Sequence, residues 1–409
     1  MSSPAATATP AAAHEGSGWE KLPYVLVVAG LIGLVVGAVS DPKQFGYSYL
    51  VAFMFFLSIC LGAMFLVILH HLFDSSWSVP IRRFLEHLAF LTPVLGLLFI
   101  PIAWLAPQLY PWMTIDPHTD HALHVKVALF NPPTFYIMAA VLFGAWTLLS
   151  YKLRSWSLKQ DETGAVECTF AMRKWAAGGI FIFAFSLTLA AIYWMKSLQH
   201  QFFSTMYGVY YFAGSVWTAL ATIYIIAMVM QRRGYIPILH RKQYHDMGVL
   251  LFAFTVFYAY IHFSQYFLIW NAAMPEETFW YVLREQGSWW AVGMLTVFGH
   301  FFGPFLLLLR IDAKLNLKLM IPMAIWVWLM HYLDMQYNIM PVFHPNGIHF
   351  ALTDLAAMAF IGGTLAIVFL KYFHAHAPYP QKDPRFEEAL GHGTLSSADA
   401  ANDHLGDED

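Results

Sequence analysis

Charge and cysteine are the two things this sequence has least of. Charged residues make up 11% of the 409, against roughly 25% in soluble domains, so an ordinary water-soluble domain is excluded. The net charge of −3 says little about partners, and nothing in the sequence resembles a nucleic-acid-binding patch. Of the two cysteines, Cys60 stands inside an apolar run and Cys168 in a stretch that reads as a polar loop, so a disulfide is not expected. The absence of any Cys-x-x-Cys spacing excludes an iron–sulfur cluster ligated in the usual way by this chain. The Ala/Pro/Thr-rich first 21 residues lack a basic n-region, so no conventional cleaved signal peptide is expected.

Apolar surface is what the sequence has in excess. Hydrophobic residues are 59% of the chain and aromatic ones 17%, a balance suited to membrane interfaces and packed helix bundles. A membrane-spanning helix needs about 20 mostly apolar residues. Ten such runs occur, near 22–39, 47–72, 87–106, 132–150, 175–195, 207–231, 247–271, 287–309, 318–340 and 350–373. The first reads as the shortest and weakest. The expectation is an all-α integral membrane protein with an N-terminal tail (1–21), a ten-helix membrane domain (22–373) and a C-terminal tail (374–409). The second tail carries Pro378, Pro380 and Pro384 and then turns acidic. Both tails read as extended and open to partner subunits.

Orientation follows from where Lys and Arg fall in the loops. With ten spans, eighteen of the 22 share the side of the two tails, among them Arg82, Arg83, Arg154, Arg173, Arg232, Arg241 and Arg310. Only Lys43, Lys126, Lys196 and Arg284 lie opposite. Both termini are therefore expected in the cytoplasm. The long outer loop 107–131 carries His118, His121 and His124, whose spacing suits a metal as well as a hydrated loop against an external partner; three imidazoles alone do not define a zinc centre, and no metal is assigned.

Ionisable groups at bilayer depth cost at least about 2.5–3.5 kcal/mol and so tend to face the bundle interior and mark function. On the seventh run, His262 lies about 22 Å from the cytoplasmic start at about 1.5 Å per residue, in the outer half. His331 and Asp334 on the ninth run are three apart and share a helix face, while His300 on the eighth falls near the middle. Tyr258, Gln265, Tyr266, Tyr332 and Gln336 add donors and acceptors around them. A second group stands at the inner edge: His70 and His71 end the second run, Asp74 follows, and Glu86 and His87 open the third. The connection 75–85, with Trp77, Arg82 and Arg83, reads as an amphipathic stretch lying in the interface. Such a series through the membrane is what proton conduction needs. Each His also has an ordinary reading as a hydrogen-bonded core residue, and a haem between His262 and His331 satisfies the crude depth condition.

The segment FYAYIHFSQYFLIW at 257–270, continuing to Tyr281, and WSVPIRR at 77–83 resemble the NrfD/polysulfide-reductase family of membrane subunits, in particular those of alternative complex III. Length and the Pro-rich outer loop are more similar to the second of that complex's two NrfD-like subunits. The resemblance implies two four-helix bundles, spans 2–5 and 6–9, flanked by spans 1 and 10, in a bacterial inner membrane. It implies a subunit of a quinol-oxidising respiratory complex that binds no redox cofactor itself, supplies quinone contacts and a proton path, and works beside a second NrfD-like subunit, iron–sulfur proteins and c-haem proteins. His262, His300, His331, Asp334, Tyr258, Gln265 and Tyr332 would then form the path's outer and middle part. His70, His71, Asp74, Glu86 and His87 would form its inner mouth. An independent secondary transporter and a purely structural anchor for redox subunits are the competing functions.

Overall fold

A computed structural model describes residues 18–390; most of the N-terminal tail and residues 391–409 lie outside that range. Among the described residues every regular element is helical and no strand occurs. In chain order the helices are α1 (Leu22–Ser40), α2 (Pro42–Phe73), α3 (Arg82–Ala89), α4 (Thr92–Leu98), α5 (Ile100–Leu109), α6 (His121–Lys126), α7 (Pro132–Thr163), α8 (Val166–Trp194) and α9 (Tyr207–Arg232). They continue as α10 (Arg241–Ala272), α11 (Pro275–Arg284), α12 (Trp289–Leu295), a π-helical turn (Thr296–Phe302), α13 (Gly303–Leu308), α14 (Ile311–Leu315), α15 (Leu317–Ile339), α16 (Leu352–Ala375) and α17 (Phe386–Ala389). Eight helices among the described residues are long and apolar enough to cross a membrane, and the pair 79–98 and 100–109 makes nine if counted as one bent span. The chain is an all-α membrane protein.

The helix ends follow local chemistry. Asp41 caps α2 by accepting from the Lys43 and Gln44 amides, Asn131 caps α7 by accepting from Thr134, and Gly164 closes α7 in the left-handed region at φ 68°. Proline breaks explain the irregular spans, because a missing N–H frees a carbonyl that lipid cannot satisfy. The 56° bend between α4 and α5 sits just before Pro101, and Tyr49 of α2 donates to the Leu98 carbonyl beside it at 2.8 Å. Pro107 frees the Ala103 carbonyl, which accepts from Tyr136 at 3.1 Å. Pro304 leaves the wide π turn before it, where the Gly299 carbonyl accepts from the Trp326 indole at 2.7 Å.

Packing centres on α2, which is buried over 94% of its apolar window. It lies against α9, α16, α3, α8, α15 and α5; α7 pairs with α8, and α9 with α10 and α15. In a membrane, association rests on close backbone approach rather than on water exclusion. At Gly62 of α2 a Cβ would stand 2.2 Å from the Ser215 carbonyl oxygen of α9. At Gly30 and Gly37 of α1 it would meet the backbone of Phe360 at 2.5 Å and the Thr353 methyl at 2.1 Å on α16. The first helix therefore packs along the last long one. It is the shortest of the eight, as expected, but the second most apolar rather than the weakest.

Two other expectations are corrected. Cys168 is buried in the first turn of α8 instead of standing in a polar loop. The connection 75–85 is not an amphipathic stretch laid on the protein surface: Val79, Ile81, Arg82, Arg83 and Phe84 are all fully buried. The cause is the segment after α16, whose residues fold back across this end of the bundle. Tyr379 and Asp383 are buried there, Lys382 donates to the Glu162 carbonyl, and Gln243 of α10 donates to the Ala389 carbonyl.

Candidate functional site

Two polar clusters occupy the membrane domain, and they differ in kind. The first lies between α9, α10, the π turn and α15. Asp334 is 1% exposed. Its Oδ1 accepts from the Tyr210 hydroxyl and from Asn338 Nδ2 at 3.1 Å, while its Oδ2 has no hydrogen-bond partner. Tyr258 donates to the Tyr210 hydroxyl at 3.0 Å, Asn338 also donates to it at 2.9 Å, and Tyr207 donates to Asn338 Oδ1 at 3.0 Å. A chain of phenol, phenol and carboxylate results. No Lys, Arg or His of the described residues forms an ion pair with Asp334. Arg284, at the C-terminal end of α15, is engaged instead by the carbonyls of Tyr337 and Asn338, each at 2.8–2.9 Å, where it complements the helix C-terminus.

Three histidines surround this chain. His300, set on the π turn, is fully buried and sandwiched between Trp217 and Tyr258, with ring centroids 3.7 and 3.6 Å away. Both its ring nitrogens lack partners. His262 is half-buried, with its ring 5.3 Å from that of Tyr210. His331 turns Nε2 to the Ser58 hydroxyl of α2 at 2.8 Å, leaving Nδ1 unpartnered against Gly214. Several buried polar atoms without partners in one region are exceptional, since such groups are ordinarily satisfied. The structure thus brings Tyr258, His262, His300, His331 and Asp334 together. It places two predicted residues elsewhere. Gln265 bridges Ser204 and Tyr281 toward the C-terminal end of α10, and the Tyr332 hydroxyl accepts from Gln336 on another face of α15.

The second cluster stands at the basic end. Arg82 and Arg83 of α3 are fully buried. Arg82 pairs with Asp383 from the folded-back segment and contacts Glu86 Oε1 at 3.1 Å, an electrostatic contact without hydrogen-bond geometry. Arg83 pairs with Glu86 Oε2 at 2.7 Å and with Asp161 of α7. Arg385 bridges Asp383 and Asp74, and Asp74 also pairs with Arg173. His70 Nε2 receives Arg82 at 3.0 Å and Arg385 at 3.1 Å, and its Nδ1 is 2.7 Å from Ser78 Oγ. A guanidinium only donates, so His70 Nε2 is an acceptor and the ring is neutral. His71 is buried with neither nitrogen partnered, and His87 receives Arg154 at 3.4 Å. Asp383, although burial alone would raise it, is held well below the usual carboxylate range by the Arg82 and Arg385 guanidiniums.

The two clusters do not touch. From Ser58, the contact of His331, to His70 runs a distance of about 18 Å along α2 at 1.5 Å per residue, and the residues between are apolar or small. In the loop 107–131, His118 and His124 are 5.7 Å apart by ring centroid, but no group of three His, Cys, Asp or Glu among the described residues is arranged to hold a metal. Instead Asp120 caps α6 and pairs with His200 at 2.7 Å.

No protein-family model and no curated protein matches the chain. The functional reading therefore rests on the geometry and on the motif resemblance.

Sequence reasoning missed Tyr210, Tyr207, Asn338 and Ser58. Asn338 had a signal, standing one turn after Asp334 at i+4 on the same face. The tyrosines of α9 did not: YGVYYFAG reads as an aromatic belt at a span's outer end.

Proposed function

We propose that this chain is a membrane subunit of a quinol-oxidising respiratory complex and that the Asp334 cluster loads and releases a proton in its cycle. The observation that carries the reading is the Asp334 carboxylate, buried beside two phenols and three histidines with no cation against it. An ionised carboxylate so placed is far more costly than a neutral one, so the site favours exchange of a proton over a fixed charge. The phenol chain from Tyr258 through Tyr210 supplies a relay to Asp334 Oδ1, and His262 stands at its half-exposed end. Electrons would pass from the quinol to iron–sulfur and haem groups on partner subunits, since the chain's two cysteines stand apart and buried.

The same proposal takes α15 as a span, which with the bent pair gives ten. Its 23 residues suffice in length, while Lys318, Pro322, His331, Asp334 and Gln336 dilute its apolar character. The spans then fall into two four-helix groups joined through α2 and α9 and flanked by α1 and α16, in a bacterial cytoplasmic membrane with both termini inside. The transporter alternative calls for helix breaks at matching positions of the two halves. The π turn and Pro304 interrupt the eighth span, yet α7, four spans earlier, runs unbroken.

The test is Asp334→Asn in the assembled complex reconstituted in vesicles, reading quinol oxidation and proton uptake. A loss of proton uptake of at least tenfold is expected. Unchanged values for both would return Asp334 to a structural role. Purification of a lone, colourless chain with no cluster- or haem-bearing partner would overturn the respiratory assignment.

A further inference from the structure

On the flank of the bundle a groove of about 410 Å³ runs between α4 and α7, lined by Pro93 and Gly96 on one side and by Phe143, Gly144, Leu148 and Tyr151 on the other. Leu148 and Tyr151 are about half exposed, as side chains that face lipid are. Two glycines hollow the groove. A Cβ at Gly144 would meet nothing within 4 Å, and one at Gly96 would meet the Phe143 side chain at 3.4 Å. From Phe143 to Tyr151, eight residues of α7 give it a length of about 12 Å. The lining is apolar apart from Thr147 and the Tyr151 hydroxyl, so it suits a hydrocarbon chain.

At the Tyr151 end the groove meets two cations, each placed there by ring contacts. Phe90 packs 6.3 Å from the Tyr151 ring, and the Arg154 guanidinium lies 4.9 Å from the Phe90 ring and 4.8 Å from the Tyr372 ring of α16. Helix geometry agrees. Arg154 stands two turns beyond Thr147 and three residues beyond Tyr151, so it continues the face of α7 that lines the groove. Lys152 flanks the other side, its ammonium 6.0 Å from the Tyr151 ring. Arg154 is also short of acceptors. Of its five N–H donors, only Nε has a hydrogen-bond partner among the described residues, His87 Nδ1 at 3.4 Å. Nη2 is enclosed without one, and Nη1 is not enclosed. The carboxylates of Glu86 and Asp161 pair with Arg82 and Arg83 and not with Arg154. A guanidinium with free donors at the mouth of an apolar groove suits the phosphate of an anionic lipid.

We propose that the α4–α7 groove binds an anionic phospholipid, one acyl chain lying along Gly96 and Gly144 and the phosphate on Arg154 Nη1 with Lys152 beside it. The bound chain supplies the packing that the two glycines omit, and the phosphate supplies the acceptor that Arg154 lacks.

The site is tested on the purified full chain by native mass spectrometry after detergent delipidation and incubation with phosphatidylglycerol or with phosphatidylethanolamine. Wild type is expected to retain phosphatidylglycerol at least fivefold above phosphatidylethanolamine. Gly144→Leu, which fills the groove from a position whose Cβ meets no neighbour, should lower phosphatidylglycerol retention at least fivefold with the fold kept. Arg154→Gln should remove the preference for the anionic lipid. Lys152→Gln, outside the Phe90–Tyr372 sandwich, should lower that preference at least twofold and reads the charge effect even where Arg154→Gln disturbs packing. Equal retention of both phospholipids by wild type, unaltered retention in Gly144→Leu, or a preference unaltered in both charge variants would each overturn the proposal.

Discussion

The two polar clusters contain similar residue types and solve opposite problems. At the basic end Arg82, Arg83 and Arg385 meet Glu86, Asp161 and Asp383 within a few ångströms, so charge is compensated in place. In the α9–α10–α15 cluster, Asp334 is met by phenols and an amide and by no cation. Compensated buried charge stabilises a geometry, because removing one partner strands the other. Uncompensated buried charge stabilises nothing as it stands and is tolerated where a proton comes and goes. A residue's type and depth therefore say less about its role than whether its charge is answered nearby.

The sharpest way to break that comparison is Arg82→Leu. It would leave Glu86 and Asp383 facing an apolar side chain, and a loss of about 3–5 kcal/mol is expected, read as thermal or denaturant unfolding in detergent. A loss below 1 kcal/mol would mean the basic cluster is not a structural lock. Asp334→Asn should behave in the reverse sense, with proton uptake falling at least tenfold and the unfolding midpoint staying level or rising. Should its stability drop match that of Arg82→Leu, the distinction between the clusters collapses. Tyr210→Phe sharpens the outer side: it removes one hydrogen bond to Asp334 and one acceptor for Tyr258, costing about 1–2 kcal/mol while slowing proton uptake several-fold. The smallest effect concerns the folded-back segment. Since Asp383 is depressed in the folded state, its contribution is fully present above the ordinary aspartate value of about 4 and fades as pH falls through and below it. Proteolysis of residues 376–389 should stay level from pH 6 to about pH 4 and accelerate as pH falls below that, and Asp383→Asn should show that faster cleavage already at pH 7.

Much of this was legible in the sequence. Hydropathy located the eight long apolar helices because a span's length is dictated by the bilayer, not by its neighbours. His331 and Asp334 stood out because an ionisable pair on one helix face is costly wherever the helix packs. What escaped were properties set by a distant partner. Nothing in WSVPIRR announces that Asp383, 300 positions on, will cover its arginines, so the segment read as interfacial. Tyr332 and Gln336 were grouped with Asp334 by nearness in sequence, although two residues along a helix turn a side chain to a different face. His300's stacking between Trp217 and Tyr258 depends on the extra residue in the π turn, which Gly303-Pro304 hinted at but did not place.

Because α1 lies along α16 through Gly30 and Gly37, a helix made early in synthesis receives its main neighbour late. Until residue 375 has been synthesised, α1 has only lipid and a strip of α2 to rest on, and the glycine-lined flank of α1 stays open. Burial of that flank is thereby tied to the synthesis of α16. A chain cut short before α16 would leave that flank of α1 uncovered.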